Sequence, residues 1–211
     1  MMKTNEERIQ TLLSYLDSLS YIRPEEIPDI QLYMDQVTTF MEEHLRSSKR
    51  YPEDKVLTKT MINNYAKNDL LPPPFKKKYS KEHMLMLIFI YYFKNLLSFN
   101  DIQQIFKPIT SRHFNGSPAK GPAPSLEDIY REVFSLEEQE MENLKKDVVS
   151  KFQTAQGTFS DVEDEDRGYL QLFSFICQLS FDVYLKKQMI EALTDQLRSE
   201  AAPAGDKHTK K

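Results

Sequence analysis

Two adjacent asparagines, Asn63 and Asn64, lie among lysines in a short segment whose residue types suit nucleic-acid binding. An asparagine amide can form two hydrogen bonds with adenine N6 and N7, a contact worth roughly 1–3 kcal/mol of discrimination between bases. Lysines suit the neighbouring phosphates, where they fix the position of the protein without reading sequence. The segment therefore predicts an interface with double-stranded DNA. Its candidate contact residues are Thr58, Lys59, Thr60, Asn63, Asn64, Lys67, Lys76, Lys77, Lys78 and Tyr79.

Charge is unevenly distributed along the chain. The net charge of −4 over 211 residues does not by itself favour a nucleic-acid partner. The segment from Arg46 to Lys81, however, contains ten basic and three acidic residues, which gives a net charge of +7. The segment from Ser125 to Leu170 contains thirteen acidic and five basic residues, which gives a net charge of −8. The basic segment contains the candidate contacts, which favours an anionic partner for that part of the chain.

Composition and capping signals predict helices as the elements that position these residues. Only five glycines occur, and glutamate, lysine, leucine and methionine are plentiful. Thr58 has the properties of a helix N-cap, with Leu57 placed to contact Ile62, and Pro72 to Pro74 end the helix that follows. An amphipathic helix is expected before it, from Ile30 to Leu45. Further hydroxyl caps are Thr4, Ser80, Ser98, Ser125, Ser135 and Ser160.

The fold class that follows is all-α, with a winged helix-turn-helix-like N-terminal module and a helical C-terminal part. Residues 1–107 are expected to form the module, with its core in 28–107, and 108–124 to form a proline- and glycine-rich loop. Residues 125–198 are expected to form acidic helices, near 126–134, 136–155 and 161–198, that mediate dimerisation or sense a signal. Residues 199–211 are expected to be a disordered tail.

The order of elements from Leu57 to Phe106 resembles the DNA-binding half of MerR-type winged helix-turn-helix regulators. In that family a valine-serine pair precedes threonine-leucine-arginine-tyrosine-tyrosine, then leucine, proline, basic residues and tyrosine-serine. Here Leu57-Thr58 aligns with the valine-serine pair, and residues 62–65 align with leucine-arginine-tyrosine-tyrosine. Residues 70–80 align with the segment from leucine and proline to tyrosine-serine. Asn63 stands where the family has an arginine. The longer stretch that begins at Ile27 is similar to a bacterial family known only as domain of unknown function 1836.

The MerR resemblance implies a transcriptional regulator that binds DNA as a homodimer, with an effector that the sequence does not identify. No run of about 18 uncharged apolar residues is present, and the N-terminus lacks the layout of a signal peptide. With a single cysteine, Cys177, these features predict a cytoplasmic protein outside the membrane. No cofactor is expected.

Two other functions remain open at this point. The same basic face suits a helical interaction module that binds an acidic protein rather than DNA. An enzyme with a pocket near Tyr91 and His83 is a third possibility, but the four histidines have no metal-ligand spacing and no catalytic motif is present. We therefore expect a protein that is not an enzyme.

Overall fold

The computed structural model describes residues 3–114 and 123–201. Within these ranges the chain forms seven α-helices and a two-stranded antiparallel sheet, so the expected all-α class is confirmed. The strands are β1 (Leu32–Tyr33) and β2 (Lys78–Tyr79). The helices are α1 (Asn5–Ser18), α2 (Met34–His44), α3 (Lys59–Lys67), α4 (Lys81–Phe93), α5 (Phe99–His113), α6 (Leu126–Gln156) and α7 (Asp164–Ala201).

Hydroxyl side chains begin several helices where the sequence predicts it. Thr4 accepts a hydrogen bond from the Glu7 N–H, and the Glu7 carboxylate accepts one from the Thr4 N–H in return. Ser98 accepts from the Asp101 N–H, and Ser125 begins α6 with a similar pair of bonds. Such caps satisfy N–H groups that have no partner inside the helix, which makes helix starts visible in a local sequence.

The main core surrounds α4, whose residues 83–90 are all buried. Apolar side chains of α2, α3, α5 and the first turns of α6 cover this helix. The buried Tyr130 hydroxyl of α6 donates a hydrogen bond of 2.7 Å to the Ile22 carbonyl, which ties the start of this core to its end. Burial in apolar surroundings raises the pKa of Tyr130, so the hydroxyl remains a donor. Residues 22–134 therefore share one core.

A second, smaller core forms between α1, the later turns of α6 and the first half of α7. It contains Ile9, Val148, Phe152, Ala155 and Phe175. Polar contacts also join these helices: Lys145 lies 2.6 Å from Asp17, and the Asn5 amide donates to the Gly168 carbonyl at 2.9 Å. The sequence grouped α1 with the N-terminal module, whereas the structure packs α1 against the C-terminal helices.

The expected helix from Ile30 to Leu45 is wrong at its start. Ile30 is exposed, and Leu32 and Tyr33 form β1, which pairs with Tyr79 and Lys78 of β2. α2 begins only at Met34. The apolar spacing of this segment is compatible with a helix as well as with a strand. Pairing with a strand some 45 residues later along the chain decides that Leu32 and Tyr33 are extended.

The expected loop at 108–124 also needs correction, because α5 continues through Pro108 to His113. Proline removes one backbone hydrogen bond within a helix. Ile109 and Phe114 pack against the main core, and the Thr110 hydroxyl donates to the Phe106 carbonyl at 3.2 Å. Tertiary packing thus keeps the helix intact. Residues 115–122 of the expected loop lie outside the described residues.

The C-terminal helices differ from the expected three. Ser135 does not begin a helix: it lies inside the continuous α6, and its hydroxyl donates to the Glu132 carbonyl. α7 begins at Asp164 rather than after Ser160. α7 also extends through the start of the expected tail to Ala201, while residues 202–211 lie outside the described part of the chain.

Candidate DNA-binding interface

The exposed face of α3 contains five of the candidate contact residues. Ile62 and Tyr65 point into the main core and hold the helix against α2 and α4. With 100° of rotation per residue, the polar side chains on the opposite side fall within an arc of about 140°. All are exposed: Lys59, Thr60, Asn63, Asn64 and Lys67. Among the described residues, neither the Asn63 nor the Asn64 side-chain amide has a hydrogen-bond partner, so both are free to bind a ligand.

Thr58 has a structural role at the start of this face. Its hydroxyl oxygen accepts a hydrogen bond of 3.1 Å from the Met61 N–H, as the sequence predicts. Leu57 and Ile62, expected to contact each other across this cap, are both buried in the main core. The half-buried Thr58 fixes the direction of the helix N-terminus. Backbone N–H groups of the first helical turn give this end of α3 a partial positive charge.

The three consecutive lysines form a tight hairpin turn after α3. The Lys78 N–H donates to the Phe75 carbonyl at 2.9 Å, and the two residues between them have positive φ angles of 49° at Lys76 and 64° at Lys77. Two such residues in succession are typical of a turn that favours asparagine and glycine. Both lysines are exposed. The chain therefore holds two cationic side chains at the hairpin tip in a backbone conformation that lysine rarely adopts.

The hairpin is attached to the helix pair through the residues that begin α2. Tyr33 and Lys78 are partners in the sheet, and the Lys78 ammonium lies 5.2 Å from the centroid of the Tyr33 ring. Two residues further on, Asp35 in the first turn of α2 forms an ion pair with Lys59 in the first turn of α3. These contacts attach both the hairpin and the N-terminus of α3 to the start of α2. The polar face of α3 and the hairpin lysines are together called the candidate surface.

Tyr79 does not belong to that surface, which corrects the expectation that it contacts DNA. Its side chain is 2% exposed, and its ring packs edge-on against His83 with centroids 5.5 Å apart. The side chains of a strand alternate between its two faces, so when Lys78 points outward Tyr79 points into the core. Burial raises the pKa of the Tyr79 hydroxyl. Tyr79 therefore anchors the hairpin to the main core.

His83 connects this support to α4. Its Nδ1 accepts a hydrogen bond of 3.1 Å from the Ser80 N–H at the start of the helix, and its ring also packs edge-on against Phe114. Burial lowers the pKa of His83, although the backbone carbonyls of Pro73 and Pro72 and the charge of Glu82 act in the opposite direction. The neutral imidazole is therefore the form that fits beneath the hairpin.

Two residues of the surface were missed by sequence reasoning, namely Tyr33 and Asp35. Their role depends on the β1–β2 pairing, for which the local sequence carries no signal. Three basic residues of the segment are in ion pairs, namely Lys49 with Glu42, Lys59 with Asp35 and Lys81 with Glu127. The hydrogen bond from Lys49 lowers the pKa of the Glu42 carboxyl group. In α3 and the hairpin, the lysines without an ion-pair partner among the described residues are therefore Lys67, Lys76, Lys77 and Lys78.

Two further searches cover the described residues 3–114 and 123–201. No helix in these ranges combines the length and apolar character needed to cross a bilayer. Within the same ranges, no group of three or more histidine, cysteine, aspartate or glutamate side chains is arranged to bind a metal ion.

One family model matches this chain. It is described as Domain of unknown function (DUF1836) and covers residues 22–133, more than half of the sequence. The matched range coincides with the main core, which begins at Ile22 and whose last fully buried residue is Tyr130. It includes the whole candidate interface. The chain matches no curated protein and no solved structure. The protein belongs to the DUF1836 family.

Proposed function

We propose that this protein is a sequence-specific DNA-binding protein that regulates transcription. The observation that carries the proposal is that the exposed polar face of α3 and the hairpin lysines are both attached to the start of α2. In the proposed complex α2 and α3 act as a helix-turn-helix, α3 lies in the major groove, and the hairpin from Phe75 to Tyr79 acts as a wing. The proposal agrees with the resemblance of residues 57–106 to MerR-type regulators.

Sequence reading is assigned to α3. Recognition helices contact base edges with polar residues near their N-terminal half, and Asn63 lies midway along α3 within the exposed arc. An asparagine there suits adenine, with both amide groups engaged. Lys59 and Thr60 in the first turn of α3 and Lys67 in the last turn suit the phosphates that border the groove. Asn64 lies at the edge of the arc beside Thr60 and can reach either a base or a phosphate.

Phosphate binding is assigned to the hairpin. Residues with positive φ cost about 1–3 kcal/mol each when the side chain is not glycine, and such strain is frequent at functional sites. Lys76 and Lys77 adopt this unfavourable backbone conformation at an exposed tip. A function of their two ammonium groups explains why lysine is present there. With some six phosphate contacts in total, affinity would fall by about three orders of magnitude between 50 and 200 mM salt.

A homodimer would present two such surfaces to two half-sites of an operator. The C-terminal helices α6 and α7 are the part of the chain assigned to dimerisation or to sensing an effector. A bacterial regulator of this kind acts in the cytoplasm, where the chromosome is located.

Charge reversal at the hairpin tests the proposal. Wild type should bind duplex DNA in a salt-sensitive manner, and replacement of Lys76, Lys77 and Lys78 by glutamate should abolish binding. A matched control replaces the exposed Lys3, Lys107 and Lys146 by glutamate, which changes the net charge equally but leaves the surface intact. Circular dichroism of both variants checks the fold. Equal indifference of wild type and both variants to DNA would reject the proposal and favour an acidic protein as the partner of this face.

A further inference from the structure

α7 carries a row of large apolar side chains on the side that faces away from the rest of the chain. The row, here called the apolar ridge, repeats every four residues through Tyr169, Phe173, Cys177, Phe181, Leu185, Met189, Leu193 and Leu197. All of these except the half-buried Cys177 are exposed. An apolar stripe on a helix normally indicates a face that is packed into a core.

The ridge remains exposed because α7 packs against different neighbours along its length. Phe175 packs edge-on against Phe152 of α6, with ring centroids 5.6 Å apart. Further along, Ile190 packs against the main core, and Arg198 lies 2.9 Å from Asp101 of α5. Four residues rotate a helix by about 400°, so the ridge winds by about 40° at each step. The packed side winds in the same direction, from Gln171 and Phe175 to Ile190 and Thr194, so the ridge residues stay outside it.

The exposed apolar area is large for the surface of a monomer. Five side chains on one arc of about 160° around α7 are 52–65% exposed: Phe173, Phe181, Tyr184, Leu185 and Met189. At roughly 100 Å² each, they present about 500 Å², in the upper part of the range of about 300–600 Å² for the largest apolar patch of a typical monomer. Two copies of this patch would bury about 1,000 Å², the lower limit for a specific interface.

We propose that the apolar ridge is the homodimer interface and that two copies of α7 cross in antiparallel orientation, with the two-fold axis between Phe181 and Leu185. A ridge with four-residue spacing packs into the matching groove of a second helix at a crossing angle of about −50°, which differs from the shallow crossing of a coiled coil. The inference specifies the dimer that the proposed function requires, but it rests on α7 alone.

Residue sizes and charges select the antiparallel orientation. About this centre, Phe181 faces the partner's Leu185 and Cys177 faces the partner's Met189, so large and flexible side chains meet. In a parallel pair each aromatic residue would face its own copy. The acidic residues at the start of α7, including Asp164 and Asp166, would also lie side by side with their copies, and like charges at that distance repel.

Oligomeric state in solution is the first test, and it uses no DNA. Light scattering on the full chain should give a dimer. The substitutions Phe181→Glu and Leu185→Glu together should give a folded monomer, because both side chains are already exposed within one protomer. Leu136→Glu is the matched control on α6, with 55% exposure, and should remain a dimer. A wild-type monomer, or a dimer that survives the α7 substitutions, would overturn the inference.

Thiol cross-linking tests the orientation, because Cys177 is the only cysteine in the sequence. In the antiparallel pair two copies of Cys177 are separated by about 18 Å along the helix axis, as are two copies of residue 189. A short bismaleimide should therefore leave wild type and the Cys177→Ser, Met189→Cys variant uncross-linked. The Met189→Cys variant, which keeps Cys177, should form a covalent dimer. Efficient cross-linking of wild type would indicate a parallel pair and contradict the proposed orientation.

The outcome is independent of the DNA-binding proposal. The glutamate variants of the hairpin should remain dimeric when they no longer bind DNA. The monomeric α7 variant should retain salt-sensitive binding to DNA, with lower affinity because only one surface is engaged at a time. Failure of one proposal therefore leaves the other standing.

Discussion

Tyr33 and Lys78 face each other across the two-stranded sheet, and the Lys78 ammonium lies 5.2 Å from the centroid of the Tyr33 ring. Tyr33 immediately precedes α2, so this contact fixes the hairpin to the first helix of the α2–α3 pair. Asp35 and Lys59 connect that helix to α3 through an ion pair. A hairpin and a helix that are separate in sequence are thus both attached to the start of α2.

Replacement of Tyr33 by leucine should lower DNA affinity about two- to fivefold. A cation beside an aromatic ring at an exposed site is worth roughly 0.5–1 kcal/mol, and its loss releases Lys78 and the turn from a fixed position. The slope of log affinity against log salt should not change, since no phosphate-binding group is removed. Fluorescence anisotropy over a salt series measures both quantities. A smaller slope would show that Tyr33 does more than position the hairpin.

Replacement of Lys76 by asparagine and Lys77 by glycine should stabilise the protein while it weakens DNA binding. Asparagine and glycine adopt the positive φ angles of this turn at little cost, so the free energy of unfolding should rise by about 1–3 kcal/mol. Removal of two phosphate contacts should reduce the salt slope by about two. Urea unfolding and anisotropy check the two effects on one variant. Unchanged affinity in the more stable protein would exclude the hairpin from the interface.

Replacement of Asn63 by alanine should remove discrimination without a general loss of affinity. The expected cost is about 1–3 kcal/mol on a selected cognate sequence, with nonspecific binding unaffected. Asn143→Ala, which removes an exposed asparagine from α6, is the matched control. Binding to the cognate duplex and to a scrambled duplex provides the comparison. Equal losses on both duplexes would assign Asn63 to the DNA backbone.

Replacement of Thr58 by alanine should act on stability rather than on recognition. The hydroxyl caps α3, and loss of such a cap costs about 0.5–2 kcal/mol. Thr58→Ser keeps the cap and should behave as wild type. Thermal unfolding measures the difference, and DNA affinity is compared at a temperature at which both variants are folded. A large loss of DNA affinity in the folded alanine variant would show that the Thr58 hydroxyl contacts a DNA phosphate.

Replacement of His83 by glutamine should remove one component of the pH dependence of stability. The folded state lowers the pKa of His83 because burial penalises the imidazolium, so the unfolded chain binds protons more readily. This component is fully present above the unfolded pKa of about 6.5 and is lost as pH falls towards the folded pKa. Glutamine three residues after Ser80 can keep the helix cap. Urea unfolding at about pH 7.5 and 5.5 should show a smaller decrease for the variant, and an equal decrease would contradict this role.

Helix starts could be predicted from the sequence because their causes are local. Thr58 and Ser98 each satisfy an N–H group three residues away, and a reader needs only four consecutive residues to recognise this. The polar arc of α3 follows in the same way from the positions of Ile62 and Tyr65. Asn63 and Asn64 are exposed on this arc, as a contact with DNA requires.

Features that depend on distant partners were not predictable. β1 exists because Leu32 and Tyr33 meet β2, and that pairing alone sends Tyr79 inward. α5 passes Pro108 because the residues beyond it pack against the main core. The stripe of α7 looks like a buried face because periodicity reports amphipathicity and not the partner that covers it. Its exposure becomes visible only when the positions of α5 and α6 are known.

The salt dependence of binding to duplex DNA tests the central claim most directly. Affinities of wild type and of a Lys76→Gln, Lys77→Gln variant are measured on one random-sequence duplex between about 50 and 200 mM salt. The account predicts a steep linear fall of log affinity with log salt for wild type and a slope smaller by about two for the variant. Absence of binding at low salt, or identical slopes for the two proteins, would contradict the assignment of this surface to DNA.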